Sequence, residues 1–517
     1  MKLLNLKMYK IVLISTSTYP SDQGLRIVSS CLKISGYDSK IVFLPEQEDY
    51  SKKYSKKVLK QLENICKDAL LIGIASYAST SIRAAQVINH LKKLNIPIIY
   101  GGIHATISPN LCIKESNIIC VGEGEEAIVE LADAIKDKQD ITKIKNLWVK
   151  KDNKIIKNDV RPLIEDLNKL PFADYDIENH YILDKGKIVP FKEKHLNGQV
   201  FYQTIRGCPN SCTYCSNRYL KNLYLDKGPI IRKLNVDYII KELLQLKNKF
   251  KTLGTIDFRA ETLFIMSLDE VKDFYYKYKK YIGIRFKCLA DPPTMNEEKL
   301  RLFIDAGLTD IIIGIQGCEA VNFGIYKRYI KDEQVIRAAK IVNKYKNKLA
   351  VMYDVITSNP YENEKDVLNL INLLRKLPKP YFLSVNNLVF FTGTELYDKA
   401  IKDGIIKSEK DSAFNLNYWD RFKHIKLKKK NAYLNLILNL MRGVVTEKRY
   451  GVLPAPVLKY LIKEKNIKFN SKNLMFTYGT GYIVQGADFL REKVAKPLYR
   501  NMPTDFKIWY DKIRYRI

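Results

Sequence analysis

The sequence predicts an α/β protein with two successive parallel sheets and a mostly helical C-terminal region. Short apolar runs alternate with amphipathic stretches over residues 10–140, and the same alternation begins again at about residue 198. Nearly continuous apolar strands separated by helices are typical of parallel sheets that are covered on both faces. The expected domains are 1–142, a linker with a small hairpin at 143–197, a second α/β domain at 198–400 and a C-terminal region at 401–517.

The first domain is predicted to be an open, Rossmann-like sheet. The expected strands are 10–15, 39–43, 69–76, 97–100 and 117–121, and the expected helices are 24–35, 57–67, 80–93 and 124–137. Ligands of such sheets bind beyond the carboxyl ends of the strands. The turn-rich segments fall there, at 15–24, 76–81, 101–109 and 122–125. No G-x-G-x-x-G follows the first strand, so a dinucleotide fingerprint is absent.

The second domain is predicted to be a partial (β/α)6, TIM-like barrel. Its expected strands are 200–206, 253–258, 284–289, 309–315, 350–356 and 381–388, with helices at 235–250, 268–281, 296–306, 332–347 and 363–376. The chemistry of such a barrel takes place at the carboxyl ends of its strands. A hairpin is expected at 146–159 in the linker, and a helix at 432–444 in the C-terminal region.

Composition excludes several classes of protein. Hydrophobic residues make up 46% of the 517 residues, so a largely disordered chain is excluded, and the apolar runs are too short to span a bilayer. The run "YKIVLIS" near the N-terminus is expected to be a buried strand and not a signal peptide, which favours the cytoplasm. The formal charge of +31 is spread over nearly every helix, which makes nucleic-acid binding an unfavoured alternative.

The stretch "RGCPNSCTYCS" places Cys208, Cys212 and Cys215 within eight residues, whereas the other six cysteines are isolated. A zinc site needs a fourth ligand, and of the five histidines only His195 lies close in sequence. Three thiolates can instead hold three irons of a four-iron cluster and leave the fourth iron open to a small molecule. Incidental buried cysteines and zinc are the alternatives.

The C-x3-C-x2-C spacing, with the aromatic Tyr214 before the last cysteine, resembles the signature of radical S-adenosylmethionine (SAM) enzymes. In that family the three cysteines bind a 4Fe-4S cluster whose open iron chelates SAM, and one electron then cleaves SAM to a 5′-deoxyadenosyl radical. The resemblance therefore makes Cys208, Cys212 and Cys215 the metal ligands and the catalytic residues.

The resemblance extends along the predicted barrel and implies further SAM contacts. The segments concerned are 254–264, where Arg259 departs from the usual wording, 311–328, 352–366 and 390–400. The residues expected to meet SAM are Tyr214, Glu261, Gln316, Arg328 and Asp354. Asp291, in "ADPP", is a further candidate for orienting the substrate.

"GGIHATISP" and "VGEGEEAIVEL" resemble the cobalamin-binding domain that precedes the barrel in one subclass of these enzymes. Glycines in such turns let the backbone approach the corrin ring. The resemblance implies cobalamin contacts by Ser76, Gly101, Gly102, His104, Gly122, Glu123 and Gly124. Ordinary strand-to-helix turns are the alternative explanation for the glycines. The loop "STSTYPSDQGLR" lacks the histidine that many cobalamin proteins supply to cobalt, and His104 is expected to line the cavity.

Together these resemblances imply a cobalamin-dependent radical SAM enzyme, most simply a methyltransferase acting on an unactivated carbon of a small molecule, lipid or peptide. One SAM would methylate cobalamin, and a second would give the radical that activates the substrate. A reductant such as flavodoxin or ferredoxin is the implied partner. The alternatives are a non-methylating oxidation, cyclisation or ring rearrangement, a radical modification of RNA, and a non-enzymatic metal- or cobalamin-binding module. Motifs shared by the whole family do not specify the substrate.

Overall fold

The computed structural model describes residues 8–20, 22–45, 52–408, 411 and 426–473. The C-terminal part of the expected helical region, residues 474–517, therefore lies outside the described residues, as do residues 412–425. The chain forms two compact units. The first unit comprises residues 1–196, 214–234 and 390–418, and the second comprises the remaining residues, 197–213, 235–389 and 419–517.

The first part of the chain alternates strands and helices as expected. The strands are β1 (Lys10–Ser15), β2 (Asp38–Phe43), β3 (Leu71–Ala75), β4 (Ile98–Gly101), β5 (Ile118–Cys120), β6 (Leu147–Lys151), β7 (Lys154–Lys157), β8 (Tyr181–Asp184) and β9 (Lys187–Pro190). The helices are α1 (Gln23–Ile34), α2 (Lys56–Cys66), α3 (Ser81–Leu91), α4 (Ile103–Ile107), α5 (Pro109–Glu115) and α6 (Glu125–Lys136). All nine elements predicted over residues 10–137 are confirmed, with ends that differ by at most two residues.

These strands form one nine-stranded sheet within the described part of the first unit, in the order β7-β6-β5-β4-β3-β1-β2-β8-β9. The strands β1 to β5 are parallel to one another. The predicted hairpin is β6–β7, whose first strand pairs antiparallel with β5, and β8 pairs with β2 at the other side. The segment expected to be a linker thus supplies strands at both edges of the first sheet.

The parallel strands are buried because helices cover them. Four consecutive residues of β1, Ile11 to Ile14, have no exposed surface. Helix α1 begins where the Asp22 side chain accepts a hydrogen bond from the Leu25 amide, and α2 begins at Ser55 in the same way with Val58. Because β1, β3, β4 and β5 are parallel, the loops that follow them all lie at the carboxyl edge of the sheet.

The second part of the chain contains the elements β10 (Gln199–Tyr202), β11 (Ile205–Arg206), α7 (Ser216–Leu223), β12 (Arg232–Lys233), α8 (Val236–Lys249), β13 (Thr255–Phe258), α9 (Leu268–Lys277), β14 (Phe286–Ala290), α10 (Glu297–Ala306), β15 (Leu308–Gln316), α11 (Glu319–Gly324), α12 (Asp332–Asn343), β16 (Ala350–Thr357), α13 (Glu364–Lys376), β17 (Tyr381–Asn387), α14 (Glu395–Lys402), α15 (Lys429–Leu440), β18 (Gly443–Val445), β19 (Arg449–Tyr450), β20 (Leu453–Pro454), α16 (Ala455–Leu461) and α17 (Glu464–Asn470). The six strands and five helices predicted for the barrel are all present.

The second unit holds a sheet whose order, over the described residues, is β10-β13-β14-β15-β16-β17-β18-β19-β20. The first six of these strands are parallel, with helices in the connections, as the partial barrel requires. The last three are short antiparallel strands from the C-terminal region. That region is helical in α15, α16 and α17, but the helix expected at 432–444 ends at Leu440, because the chain turns into β18 at Gly443 (φ +111°).

One face of the barrel strands is fully buried, and the other carries half-buried residues in register. On β15, β16 and β17 the aligned residues of the half-buried face include Gly314, Asp354 and Ser384. Gly314 and Asp354 lie in the carboxyl-terminal halves of β15 and β16, and Ser384 lies at the middle of β17. Among the residues with described structure, no helix is long and apolar enough to cross a membrane.

Candidate cofactor sites

The turns after β3 and β4 fit tightly together at the carboxyl edge of the first sheet. Gly102 has φ +87°, and a Cβ there would lie 3.0 Å from the Ser76 carbonyl oxygen and 3.1 Å from its nitrogen. The Ser76 hydroxyl shares a 2.7 Å hydrogen bond with the Tyr100 hydroxyl, and the His104 amide donates to the Ser76 carbonyl at 3.3 Å. The structure therefore brings Ser76, Gly102 and His104 together, as expected for residues around one ligand.

His104 is buried in α4, with 3% of its surface exposed. Burial lowers the pKa of its imidazole to about 4, so the ring is neutral near pH 7. Its ring centroid lies 6.3 Å from that of Tyr100. A neutral, enclosed ring of this kind is suited to lining an uncharged part of a cavity.

The turn after β5 is fixed by contacts that the sequence does not reveal. Gly122 has φ +89°, and a Cβ there would come within 2.0 Å of the Tyr224 hydroxyl oxygen. The Glu123 amide donates to that hydroxyl at 2.8 Å, and the Gly122 amide donates to the Thr106 hydroxyl at 3.0 Å. Glycine is required at 122 because Tyr224 occupies the space where a side chain would lie. Internal packing therefore accounts for this glycine, and its contact with cobalamin stays a prediction.

The Glu123 carboxylate forms an ion pair with Arg232, whose Nη1 lies 2.9 and 3.0 Å from the two carboxylate oxygens. The Ile164 amide donates to the same carboxylate at 3.1 Å. Gly101 and Gly124 are less constrained: an added Cβ would meet the nearest atom, in Cys120, at 3.7 and 3.5 Å respectively. Tyr224 and Arg232 lie about a hundred residues along the chain from this turn, and no sequence signal links them to it.

The turns after β3, β4 and β5 have the small residues that a cobalamin site requires. Small residues line the carboxyl edge of β3, β4 and β5, and at Gly101 an added Cβ would meet only ordinary contacts. A bulky planar ligand needs such an edge, because larger side chains would block its approach to the backbone. The residues present therefore fit the group, and their individual contacts with it stay predictions.

The cysteine loop is anchored on both sides of Cys212. In the second unit, Thr213 donates through its amide to the Tyr326 carbonyl at 2.9 Å and through its hydroxyl to the Ile325 carbonyl at 2.8 Å. Cys212 is buried and Cys208 is half-buried. The Asn210 side-chain amide donates to an Asp291 carboxylate oxygen at 3.1 Å. These bonds hold Cys208 and Cys212 on an irregular loop just after β11.

Cys215 belongs to the first unit and is the N-cap residue of α7. Its side chain is half-buried, as is that of Tyr214. Among the residues that the structure describes, no group of three His, Cys, Asp or Glu side chains converges as for a single metal ion. A four-iron cluster does not need such convergence, because each thiolate binds a different iron. Three cysteine thiols within eight residues of one another are the donor set that the cluster uses, so the residues fit it.

Gln316 and Arg328 come together at the carboxyl end of β15. Gln316 has φ +68°, a left-handed conformation that is costly for a residue with a side chain and often marks a functional position. A Cβ at Gly314 would lie 2.6 Å from the Gln316 side-chain nitrogen and 3.4 Å from Arg328 Nη2. The Arg328 guanidinium also forms an ion pair with Asp291. Gly314 thus leaves the space that the two polar head groups occupy.

Asp354 lies next to this group, because β16 pairs with β15 so that Asp354 is aligned with Gly314. Burial raises the pKa of the Asp354 carboxyl, and the Ser384 hydroxyl and Arg259 partly offset that rise. Gln316, Arg328 and Asp354 therefore lie near one another: Gln316 ends β15, Asp354 is on the adjacent β16, and Arg328 follows α11. Their contacts with SAM stay predictions.

Glu261 is placed differently from the other expected SAM contacts. It lies three residues beyond the end of β13 with an exposed side chain, and its contact with SAM stays a prediction. Arg259, the noted departure from the usual wording, pairs with Asp257 at 2.8 Å and lies 4.7 Å from the centre of the Phe201 ring. The sequence did not single out Thr213 or Gly314, although both lie inside segments that it did.

Comparison with known proteins agrees with this geometry. The family model for the radical SAM superfamily matches residues 202–374, and the model for the B12-binding domain matches residues 9–132. The chain belongs to the cobalamin-dependent radical SAM enzymes. The cofactors of this family are a 4Fe-4S cluster, SAM and cobalamin, and a radical SAM enzyme requires a source of electrons and a substrate.

Relatives of this cobalamin-dependent radical SAM enzyme include an uncharacterized methyltransferase of Pyrococcus horikoshii. The two are 26% identical over 347 residues, which cover 66% of this chain and 71% of the relative. The bacteriochlorophyllide d C-8(2)-methyltransferase of Chlorobaculum tepidum is 21% identical over 67% of this chain and 71% of its own length.

Solved structures of radical SAM proteins share the fold. The cobalamin-dependent S-adenosylmethionine radical enzyme OxsB, with aqua-cobalamin and SAM bound, matches with a TM-score of 0.64 at 15% identity, over 94% of this chain and 75% of its own. The methyltransferase TsrM of Kitasatospora setae, with cobalamin and a [4Fe-4S] cluster bound, matches with a TM-score of 0.60 at 16% identity, over 77% and 75% of the two chains.

Proposed function

We propose that this radical SAM enzyme methylates an unactivated carbon of a small molecule, lipid or peptide. The observation that carries the proposal is that one chain contains both the glycine turns after β4 and β5 and the three-cysteine loop. Two relatives that match about two-thirds of this chain are named methyltransferases. When bound, the cluster supplies the electron that cleaves SAM, and cobalamin carries the methyl group. The chain's own residues bind, orient and shield these groups.

Cys208, Cys212 and Cys215 are the proposed cluster ligands. Two hydrogen bonds support this assignment. Asn210 fixes the loop between Cys208 and Cys212, and Thr213 fixes it between Cys212 and Cys215. A fixed loop holds the thiols at the spacing that the cluster needs, so the cost of ordering them is met when the protein folds.

The residues proposed to hold SAM are Gln316, Arg328, Asp354, Glu261 and Tyr214. Arg328 would pair with the SAM carboxylate or ribose, and its ion pair with Asp291 orients the guanidinium for this role. Asp354, with its raised pKa, would accept or donate a hydrogen bond at the carboxyl end of β16.

Ser76, Gly101, Gly102, His104, Gly122, Glu123 and Gly124 form the proposed cobalamin edge. His104 is proposed to line the cavity as a neutral ring and would not serve as a ligand to cobalt, and bound cobalamin would supply the methyl-transfer chemistry. An exclusion of water by the small, closely packed turns would protect reactive species there.

The decisive experiment follows the products of SAM in the reconstituted enzyme under anaerobic conditions with a chemical reductant. A methyltransferase of this type forms S-adenosylhomocysteine and 5′-deoxyadenosine together once its substrate is present. Formation of 5′-deoxyadenosine without S-adenosylhomocysteine during substrate turnover would contradict methylation.

The second proposal is a non-methylating reaction of the same cofactors. A specific observation favours it: the anaerobic magnesium-protoporphyrin IX monomethyl ester cyclase of Synechocystis is 29% identical over 158 residues, which cover 30% of this chain. Product masses unchanged by methyl addition, with 5′-deoxyadenosine formed, would support this oxidation or ring closure.

A flavodoxin or ferredoxin is the proposed electron donor, and the cytoplasm is the proposed compartment. The net charge of +31 also suits an acidic donor protein. Modification of RNA is disfavoured, and retention of RNA at physiological salt would be needed to support it.

A further inference from the structure

The segment that follows the cysteine motif, residues 214–234, belongs to the first unit together with the cobalamin edge. Cys215 caps α7 at its start, and Tyr224 follows its last residue, Leu223. A helix of eight residues spans roughly 12 Å and moves as a rigid element. A displacement of Tyr224 is therefore transmitted along α7 to Cys215.

Tyr224 is locked against the turn after β5. It is 4% exposed, and its hydroxyl accepts the Glu123 amide at 2.8 Å. Gly122 is packed so closely below the hydroxyl that an added Cβ would lie 2.0 Å from it. The phenol is thus in direct contact with the turn, so a shift of one is opposed by the other.

Arg232 locks the same turn from the other end of the segment. It is 7% exposed, and its Nη1 contacts both Glu123 carboxylate oxygens and donates to the Ile164 carbonyl at 2.8 Å. Hydrogen bonds between charged groups are stronger than neutral ones, and burial strengthens them further. Residues 214–234 are thus attached to Gly122–Glu123 at two separate points.

The turn after β5 is in turn linked to the turn after β4. The Gly122 amide donates to the Thr106 hydroxyl at 3.0 Å, and that hydroxyl donates to the Gly102 carbonyl at 3.1 Å. A ligand that orders either glycine turn therefore acts on Tyr224 through one or two hydrogen bonds.

We propose that Tyr224 and Arg232 are positioning residues that couple cobalamin binding at the glycine turns to the position of the cluster ligand Cys215. This inference rests on the proposed cofactor roles of those turns and of Cys215. Coupling between two binding sites is reciprocal, so incorporation of the cluster tightens cobalamin binding by the same factor by which cobalamin favours the cluster. The two cofactors are then assembled cooperatively.

The experiment measures the dissociation constant of hydroxocobalamin on the full chain, with and without the reconstituted 4Fe-4S cluster, by ultrafiltration and cobalt analysis. The ratio of the two constants is the coupling factor. We expect a factor of about 5 or more in the wild-type protein, the lower end of typical coupling. Tyr224→Phe keeps the ring and removes the hydroxyl, and it is expected to bring the factor close to 1. Arg232→Gln, a second variant, is expected to reduce it independently.

Tyr37→Phe is the matched control. Tyr37 is also buried in the first unit, and its hydroxyl donates a hydrogen bond to Asp133. It lies just before β2, at the amino ends of the parallel strands and not at their carboxyl ends. This variant should keep the wild-type coupling factor. If Tyr224 had only a structural role, Tyr224→Phe would raise both dissociation constants by the same factor and leave their ratio unchanged.

A wild-type factor of 1, or a wild-type factor kept by both Tyr224→Phe and Arg232→Gln in protein that retains its circular dichroism spectrum, overturns the inference. Failure of the proposed methylation is distinguishable from this. An enzyme that forms no S-adenosylhomocysteine but shows a coupling factor that Tyr224→Phe removes supports the coupling and contradicts methylation. Methylation with a coupling factor of 1 does the reverse.

Discussion

Asp291 and Arg328 form a buried ion pair in the second unit, in which each side chain keeps about 7% of its exposure. The same Asp291 carboxylate accepts a hydrogen bond from Asn210, in the cysteine loop. One carboxylate thus links the loop that carries Cys208 and Cys212 to the guanidinium beside Gln316. The geometry of the expected SAM site depends on this one acidic residue, which follows β14 directly.

Asp291→Asn is expected to destabilise the protein and to weaken SAM binding, because it leaves the Arg328 charge buried without its counter-ion. Breaking a buried pair in this way costs about 3 kcal/mol, which corresponds to a fall in Tm of roughly 6 °C or more. We expect the Kd for SAM on cluster-loaded protein to rise about tenfold. Glu297→Gln, which removes an exposed pair with Lys344, is the control and should change neither quantity. An Asp291→Asn protein with wild-type Tm and SAM affinity would show that the pair is dispensable.

Gly314→Ala is expected to weaken SAM binding while leaving stability almost intact. The added Cβ would come within 2.6 Å of the flexible end of the Gln316 side chain, which can move away, but Gln316 and Arg328 would then leave their positions. Titration calorimetry should show a Kd for SAM raised about tenfold, with a change in Tm that corresponds to less than about 2 kcal/mol. Gly324→Ala, where an added Cβ meets nothing within 4 Å, is the matched control. Equal SAM affinities of the two variants would contradict the role given to Gly314.

Replacement of Cys208, Cys212 or Cys215 by Ala, one at a time, is expected to abolish the cluster and the cleavage of SAM. Iron and sulfide analysis after anaerobic reconstitution, with the cluster absorbance, measures the loss. Cobalamin should still bind each variant at saturating concentration, with an affinity lowered only by the coupling factor, because the glycine turns remain folded. Cys288→Ala is the control, since Cys288 is buried on β14 away from the loop. Full iron content in any of the three variants would remove that cysteine from the ligand set.

Glu362 should make the stability of the second unit depend on pH. Burial, and secondarily repulsion by Asp366, raises the pKa of its carboxyl to about 8, above the ordinary value of 4.5. The unfolded chain therefore binds fewer protons than the folded one between about pH 4.5 and 8, so stability falls as pH rises through that window, by up to about 1.4 kcal/mol per pH unit. Glu362→Gln cannot ionise and should lose this dependence.

Thermal unfolding of Glu362→Gln and wild type from pH 5 to pH 8 tests this expectation. The Tm of the variant should exceed that of the wild type by a margin that grows with pH. Glu298→Gln, which changes an exposed glutamate on α10, should give a curve parallel to that of the wild type. Parallel curves for Glu362→Gln as well would mean that Glu362 does not carry the proton.

We expect no nitrogen ligand to cobalt from His104 in protein loaded with cobalamin, because its imidazole is buried in α4. Electron paramagnetic resonance of the protein loaded with cob(II)alamin should show no nitrogen superhyperfine splitting from the chain. His104→Ala should give the same spectrum. A splitting that is present in the wild type and lost in His104→Ala would establish ligation.

Much of the fold could be predicted from the sequence because it rests on local patterns. Apolar runs such as "KIVLIS" and amphipathic stretches such as "VDYIIKELLQLKNK" fix strand and helix directly, through burial and hydrogen bonding within the element. The three short strands after Leu440 were not predicted, since two or three residues carry no alternating pattern. Only β18 pairs with β17, and β19 and β20 extend the sheet from it. The linker hairpin was predicted because it is a local feature. Its place in the first sheet was not predicted, because that depends on pairing with the more distant β5.

The sequence by itself determined the chemistry: the spacing of Cys208, Cys212 and Cys215, and the order of the two cofactor units along the chain. Only the tertiary structure decided what holds that chemistry in place. Asp291 reaches Arg328 across 37 residues, and Tyr224 reaches Glu123 across 101 residues. Such contacts depend on how distant segments pack and on the hydrogen bonds that buried polar groups must find, and no short pattern of residues specifies them.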